Sequence, residues 1–261
     1  MSVDADARKQ AATRALPMVD LTDLSDTCDA AAIETLCTRA QTPHGNVGAI
    51  CIWPGFVSQA AKLLDSTTIP IATVVNFPGG GDTEDAVRTL TEQALADGAR
   101  EIDLVMPYRA FAAGRTAEAT SMVRTIRSAT SESALLKVIL ETGEFRKVQH
   151  GNERIREASR LAIGEGADFI KTSTGKVMVN ATLDAAQIML GVIAETGGTA
   201  GFKPAGGIKT TEDTADYLSI ADTLLGSDWA NPSRFRFGAS GVVDDLLAAL
   251  DGTTAAKTHG Y

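Results

Sequence analysis

The stretch Glu153–Pro204 decides the fold. Glu153–Gly166 (ERIREASRLAIGEG) carries Ile155, Ala158, Ala162 and Ile163 on one helical face. Asp168–Thr172 (DFIKT) then reads as a short strand, Thr182–Ile193 (TLDAAQIMLGVI) as a second helix, and Gly201–Pro204 (GFKP) as the next strand. Helix, strand, helix, strand at this spacing implies parallel strands joined by crossover helices. The same rhythm extends outward in both directions. Further strands are expected at Met18–Leu21, Gly48–Trp53, Ile71–Asn76, Glu101–Met106, Leu135–Glu141 and Phe235–Ala239. Helices fit between them. Asp82–Asp97 opens on Asp82, Glu84 and Asp85, acids that suit a helix N-terminus, and stops at Gly98. Its apolar face reads as Ala86, Leu90, Ala94 and Leu95, and Asp213–Leu225 repeats the pattern.

Eight such units, spaced roughly 25–35 residues apart, predict a single (β/α)8 barrel. The length of 261 residues fits, since such barrels take about 250. Residues 1–261 are therefore expected to form one domain, with a short N-terminal extension and a polar, flexible C-terminal tail over 252–261. Composition agrees: 44% hydrophobic and 22% charged residues suit a globular chain. The net charge of −9 argues against nucleic acid as a partner. The longest nearly apolar run, Val47–Val57, is broken by Gly48, Pro54 and Gly55, and a membrane span needs roughly 20 apolar residues. Met1–Gln10 has no apolar run, so no secretory leader is expected. Cys28, Cys37 and Cys51 are odd in number and form no CxxC, which suits free thiols in the cytoplasm.

In such a barrel the chemistry sits where strands end and the following loops begin. Lys171 and Lys203 both lie in apolar strand contexts, one βα unit apart, so they belong on neighbouring strands. Burial and a second nearby ammonium each lower a lysine pKa from about 10.4. An unperturbed lysine is neutral in only about 0.04% of molecules at pH 7. Two crowded lysines are thus a route to a nucleophilic amine and a Schiff base. The alternative is that each pairs with a carboxylate or snorkels to solvent. Asp103 lies in the apolar strand Glu101–Met106 and reads either as a proton relay or as an ion-pair partner, and Asp20 carries the same two readings. Lys137 and Glu141 share a parity on one strand, which points to a supporting inward charge network. Thr174-Gly175-Lys176, Gly206-Gly207 and Gly238-Ala239-Ser240-Gly241 follow three successive strands, where backbone N–H groups suit a phosphate or else simply turn the chain. His44, His150 and His259 have no ligand spacing, so no metal is expected. No nucleotide-binding glycine motif is present.

Several stretches resemble one family: class I deoxyribose-phosphate aldolases of the longer enterobacterial type. They include Asp20-Leu21-Thr22, Ala49-Ile50-Cys51-Ile52, Val75-Asn76-Phe77-Pro78, Pro107-Tyr108-Arg109-Ala110, Leu136-Lys137-Val138-Ile139 and Glu141-Thr142-Gly143-Glu144. The most specific are Phe169-Ile170-Lys171-Thr172-Ser173-Thr174-Gly175-Lys176 and Gly201-Phe202-Lys203-Pro204-Ala205-Gly206-Gly207, with Arg236-Phe237-Gly238-Ala239-Ser240 last. The resemblance implies a TIM barrel that interconverts 2-deoxy-D-ribose 5-phosphate with D-glyceraldehyde 3-phosphate and acetaldehyde, without a cofactor, as a homodimer. It implies Lys171 as the Schiff-base lysine, Lys203 as the lysine that depresses its pKa, and Asp103 as the water-mediated proton relay. It further implies substrate contacts at Asp20, Thr22, Cys51, Thr174, Lys176, Gly207, Gly238 and Ser240, and a C-terminal Tyr261 that assists proton transfer. Two departures stand out. Ser240-Gly241 replaces a common Ser-Ser, removing one hydroxyl, and Trp53-Pro54-Gly55 stands where Tyr-Pro-Arg is frequent. A transaldolase-like lyase and a catalytically silent phosphosugar-binding barrel are the competing readings.

Overall fold

The computed structural model describes residues 3–130 and 134–253. Its eight barrel strands are β1 (Val19–Asp23), β2 (Ala49–Ile52), β3 (Ile71–Val75), β4 (Glu101–Val105), β5 (Leu135–Ile139), β6 (Phe169–Lys171), β7 (Gly201–Lys203) and β8 (Phe237–Ala239). Each pairs in parallel with the next from β1 to β7, and β8 pairs in parallel with β1. The ring closes between β7 and β8 through parallel bridges at Phe202–Phe235 and Ala205–Gly238. There Arg236 N–H donates to Phe202 O at 3.0 Å and Gly238 N–H to Pro204 O at 2.9 Å. All eight strands expected from sequence are present, most of them a residue or two shorter. Met18 belongs instead to a 3-10 turn, Leu16–Met18, so β1 starts at Val19.

The crossover helices follow from their caps. Thr182 accepts from Ala185 N–H to start Leu183–Glu195, and Thr210 with Asp213 makes a reciprocal capping box at Thr211–Leu225. The helix expected over Asp82–Asp97 runs Glu84–Ala96, capped by Thr83. Its buried face is Val87, Thr91 and Ala94, while Leu90 is exposed. Ala94 is buried as expected and Leu95 packs half-buried against the core, whereas Val87 and Thr91 face inward in place of Ala86 and Leu90. The Thr91 hydroxyl donates to Val87 O at 2.8 Å, which satisfies it internally and lets the residue face inward.

Two features lay outside the expected pattern. The N-terminal extension is a helix, Val3–Ala15, packed on Thr211–Leu225 and Val242–Leu250. Among the residues of this helix whose burial is described, Ala12 and Ala15 are the buried ones, so no apolar stripe announced it. Ion pairs hold it: Arg8 to Glu212 at 2.9 Å and Asp245 at 2.7 Å, and Arg14 to Asp222. A two-residue hairpin, Gln41–Thr42 with Gly45–Asn46, sits before β2. Of the expected tail, residues 254–261, Tyr261 among them, lie outside the described residues.

Glycines make room in the lumen. A Cβ on Gly201 would lie 2.5 Å from the Phe169 ring, and one on Gly238 would lie 2.8 Å from Ala205 Cβ and 3.2 Å from Lys203 Cε. Gly201→Ala is expected to destabilise the fold by about 1–3 kcal/mol through overpacking. Urea denaturation checks this, and an unshifted midpoint contradicts it.

Candidate active site

Parallel register stacks the charged residues in successive tiers, with Lys171 two residues beyond Phe169, the β6 partner of Lys137. Lys171 and Lys203 end β6 and β7 as direct Cα partners, and Asp103 on β4 partners Lys137 on β5. Asp20 enters from β1 and Arg236 from just before β8. Glu101, two residues before Asp103, points to the same side of β4. All seven side chains are buried, with Lys171 the nearest to solvent at 3% exposure among the lysines.

Asp103 is the hub. Its Oδ1 accepts from Lys137 Nζ at 2.8 Å, and its Oδ2 accepts from both Lys171 and Lys203 at 2.7 Å. Beneath it, Asp20 accepts from Lys203 on one oxygen and from Arg236 on the other, the latter at 2.7 Å. Glu101 joins Lys137 to Arg236, at 3.0 Å from Arg236 Nη2. Three carboxylates thus face four basic groups. Burying an unpaired charge costs several kcal/mol, so this set balances when one base is neutral.

The environment selects which one. Burial pushes the Lys171 amine down, Asp103 pulls it up, Lys203 pushes it down again, and it ends below the usual lysine value. Burial also presses on Lys203, but Asp103 and Asp20 outweigh it and its pKa rises. Lys137 likewise rises, because Asp103, Glu101 and Asp20 overcome its burial. The crowding expected to lower both lysines therefore lowers only Lys171. Burial would raise the Asp103 carboxyl, yet Lys137, Lys171 and Lys203 hold it well below its usual range. Asp20 is lowered in the same way, with Lys203 the leading cation.

The remaining expected residues distribute as follows. Cys51 is fully buried beside this cluster, its thiol 4.0 Å from Asp103 Oδ2 and pushed up by burial. Thr22 follows Asp20 on β1 and donates to the Asp20 carbonyl at 2.7 Å. Asp20, expected at a substrate hydroxyl, has both oxygens engaged, by Lys203 and by Arg236. Thr174 and Lys176 lie on the loop after β6, and Lys176 Nζ pairs with Asp26 at 3.2 Å. Asp26 follows β1, so this pair links the loops after β6 and β1. Gly207 sits at φ +88° with open space around its Cα. The Gly238 N–H is spent on Pro204 O, so this glycine contributes absence of a side chain and not a free donor. Ser240 and Gly241 are exposed where the helix Val242–Leu250 begins.

Glu101 and Arg236 were not singled out from sequence. Their signals were present: Glu101 shares parity with Asp103, and Arg236 stands between Phe235 and Phe237 in an apolar strand. Lys137 joins the charge network as expected, whereas Glu141 bonds to Thr174. Asp20→Asn removes one of the two carboxylates that face each of Lys203 and Arg236, leaves the buried set with an excess positive charge, and is expected to cost about 3–5 kcal/mol. Urea unfolding at neutral pH measures this, and a loss below about 0.5 kcal/mol contradicts the network.

The family model described as DeoC/LacD family aldolase matches residues 14–240. A curated deoxyribose-phosphate aldolase from Agrobacterium fabrum is 52% identical over 263 residues, covering 100% of both chains. Among solved structures, a Coccidioides immitis protein provisionally named a deoxyribose-phosphate aldolase is 27% identical, with a TM-score of 0.77 over 91% of this chain and 85% of that one. The deoxyribose phosphate aldolase of Aeropyrum pernix, described as tetrameric, is similar in fold, with 21% identity and a TM-score of 0.71 over 92% of this chain and 91% of that one. With a buried lysine pair at the ends of adjacent barrel strands and a family match over most of its length, this chain belongs to the DeoC/LacD family of aldolases.

Proposed function

We propose that this chain cleaves 2-deoxy-D-ribose 5-phosphate reversibly into D-glyceraldehyde 3-phosphate and acetaldehyde through a Schiff base on Lys171. The observation that carries the reading is the asymmetry of the lysines: Lys171 ends β6 beside Lys203 with Asp103 as its one carboxylate partner, and its pKa alone of the three buried ones is lowered, while Lys203 and Lys137, each shared with a further carboxylate, are raised. The full-length likeness to the Agrobacterium fabrum protein supports the substrate.

The neutral Lys171 amine adds to the open-chain aldehyde at C1, and loss of water leaves an iminium. That cation forms 2.7 Å from the Asp103 carboxylate, a preorganised negative charge placed where positive charge develops. The iminium accepts the electron pair of the C2–C3 bond as the C3 hydroxyl loses its proton. Asp103, a water and the Lys203 ammonium carry that proton. Because Asp103 is so weakly basic, its work is orientation and charge stabilisation, with water as the immediate acceptor. Glyceraldehyde 3-phosphate departs, the enamine takes a proton at C2, and hydrolysis frees acetaldehyde and Lys171. Tyr261 is the proposed helper in that protonation. Lys176, Gly207 and Ser240 receive the phosphate, and holding it positions the reacting carbon. No step calls for a metal or organic cofactor. The reading takes residues 1–261 as one domain, acting in the cytoplasm as a homodimer. Among the described residues no helix is long and apolar enough to cross a membrane.

Borohydride with substrate should add a stable adduct at Lys171, read by peptide mass spectrometry, and Lys171→Ala should abolish it. No adduct in the unmodified protein sinks the reading. The acid limb of kcat/KM should follow deprotonation of Lys171, with activity rising as pH rises through a pKa below the usual lysine range. Lys203→Leu removes the cation that depresses that pKa, so the limb should move to higher pH while turnover falls. An unmoved limb contradicts the assignment.

A further inference from the structure

β5 ends at Ile139, and two residues later the backbone of Glu141 turns left-handed, at φ +60° and ψ +56°. That region is uncommon for a residue with a long side chain. The carboxylate is fully buried, and among the described residues no ion pair accounts for it. Its partners lie instead on the loop after β6. Glu141 Oε2 accepts the Thr174 hydroxyl at 2.6 Å, and the Thr174 N–H points between the two carboxylate oxygens, 3.3 Å from each. Thr174 Oγ in turn accepts the Lys176 N–H at 3.0 Å. The chain of donors has a fixed direction. The Lys176 N–H occupies the hydroxyl oxygen, so the hydroxyl hydrogen must go to Glu141. One carboxylate at the end of β5 thereby sets the Thr174 rotamer and the start of the segment that carries Lys176.

Further contacts fix the segment on either side, with the Ser173 hydroxyl donating to Ala205 O at 2.7 Å and the Ala181 N–H to Ala205 O at 3.3 Å. Gly175 between Thr174 and Lys176 sits at φ +84° with open space around it. The Lys176 ammonium is partly exposed, and its partner Asp26 is 92% exposed, a pair that solvent screens and an incoming dianion can displace. Burial holds the Glu141 carboxyl above its ordinary range, and its bonds to Thr174 act against that shift.

We propose that Glu141 is a positioning residue for the phosphate-bearing end of the substrate, acting through Thr174 to hold the Lys176 segment preset at the barrel mouth. This rests on the aldolase reading above and deepens it. It assigns Glu141 to recognition and not to the proton transfers at Lys171. Glu141→Gln keeps an oxygen that accepts from Thr174, whereas Glu141→Ala and Thr174→Val remove the link from either side.

The test compares the intact protein with these three variants on 2-deoxyribose 5-phosphate and on 2-deoxyribose, which lacks the phosphate. Glu141→Ala and Thr174→Val should each raise KM for the phosphorylated sugar about tenfold, the scale of one lost hydrogen bond. For Glu141→Ala, kcat should stay within about twofold and kcat/KM for 2-deoxyribose should not change. Glu141→Gln should keep KM near that of the intact protein. Equal losses on both sugars, a fall in kcat instead of a rise in KM, or failure of Glu141→Gln to retain the low KM overturns the proposal. Borohydride trapping with acetaldehyde, which carries no phosphate, separates the two levels. No adduct in the intact protein overturns the aldolase reading. Adducts in every variant with an unchanged preference between the sugars overturn the role of Glu141 alone.

Discussion

A carboxylate at the axis of a closed barrel, with three ammonium groups within 2.8 Å, is an arrangement water would ordinarily dissolve. Asp103 holds it together because each partner is itself constrained. Lys137 is shared with Glu101, Lys203 with Asp20, and both outer carboxylates meet on Arg236. Ionic clusters of this kind do little for net stability, since desolvation offsets the attraction. Their consequence is electrical. With three negative charges fixed and Arg236, Lys137 and Lys203 held cationic, the last base in the stack has no charge left to balance. Lys171 is that base, and it is also the one at the strand end beside the loops.

The barrel matters to this because only closure brings β1, β4 and β8 around one axis. Asp20, Asp103 and Arg236 are far apart in sequence and meet because the ring is completed between β7 and β8. Gly238 takes part twice, supplying a backbone bridge and leaving the space that the Lys203 stem occupies. A side chain there would press on the lysine whose charge depresses that of Lys171. Fold and chemistry are joined at that contact.

Much of this was legible in the sequence, for identifiable reasons. The eight strands announced themselves by short β-branched runs at regular intervals, and Lys171 and Lys203 by ionisable groups set in apolar strands one unit apart. Period-2 parity also placed Lys137 inward. What escaped was what pattern does not encode. Val3–Ala15 is a helix fastened by Arg8 and Arg14 instead of an apolar stripe. Thr91 faces inward because its hydroxyl is satisfied locally. Asp20 resembles a substrate-binding residue, yet its burial between Lys203 and Arg236 depends on a partner 216 residues away. Nor does sequence show that Lys171 and Lys203, alike in context, shift in opposite directions. That difference comes from Asp20 reaching one and not the other.

The central claim is that Lys171 alone among the buried lysines is poised to be neutral. An NMR titration of protein labelled with carbon-13 at the lysine ε-carbons reads this directly. The account predicts one resonance, absent in Lys171→Ala, that titrates below the ordinary lysine range while those of Lys137 and Lys203 stay charged beyond it. A Lys171 resonance titrating with or above the surface lysines would contradict it.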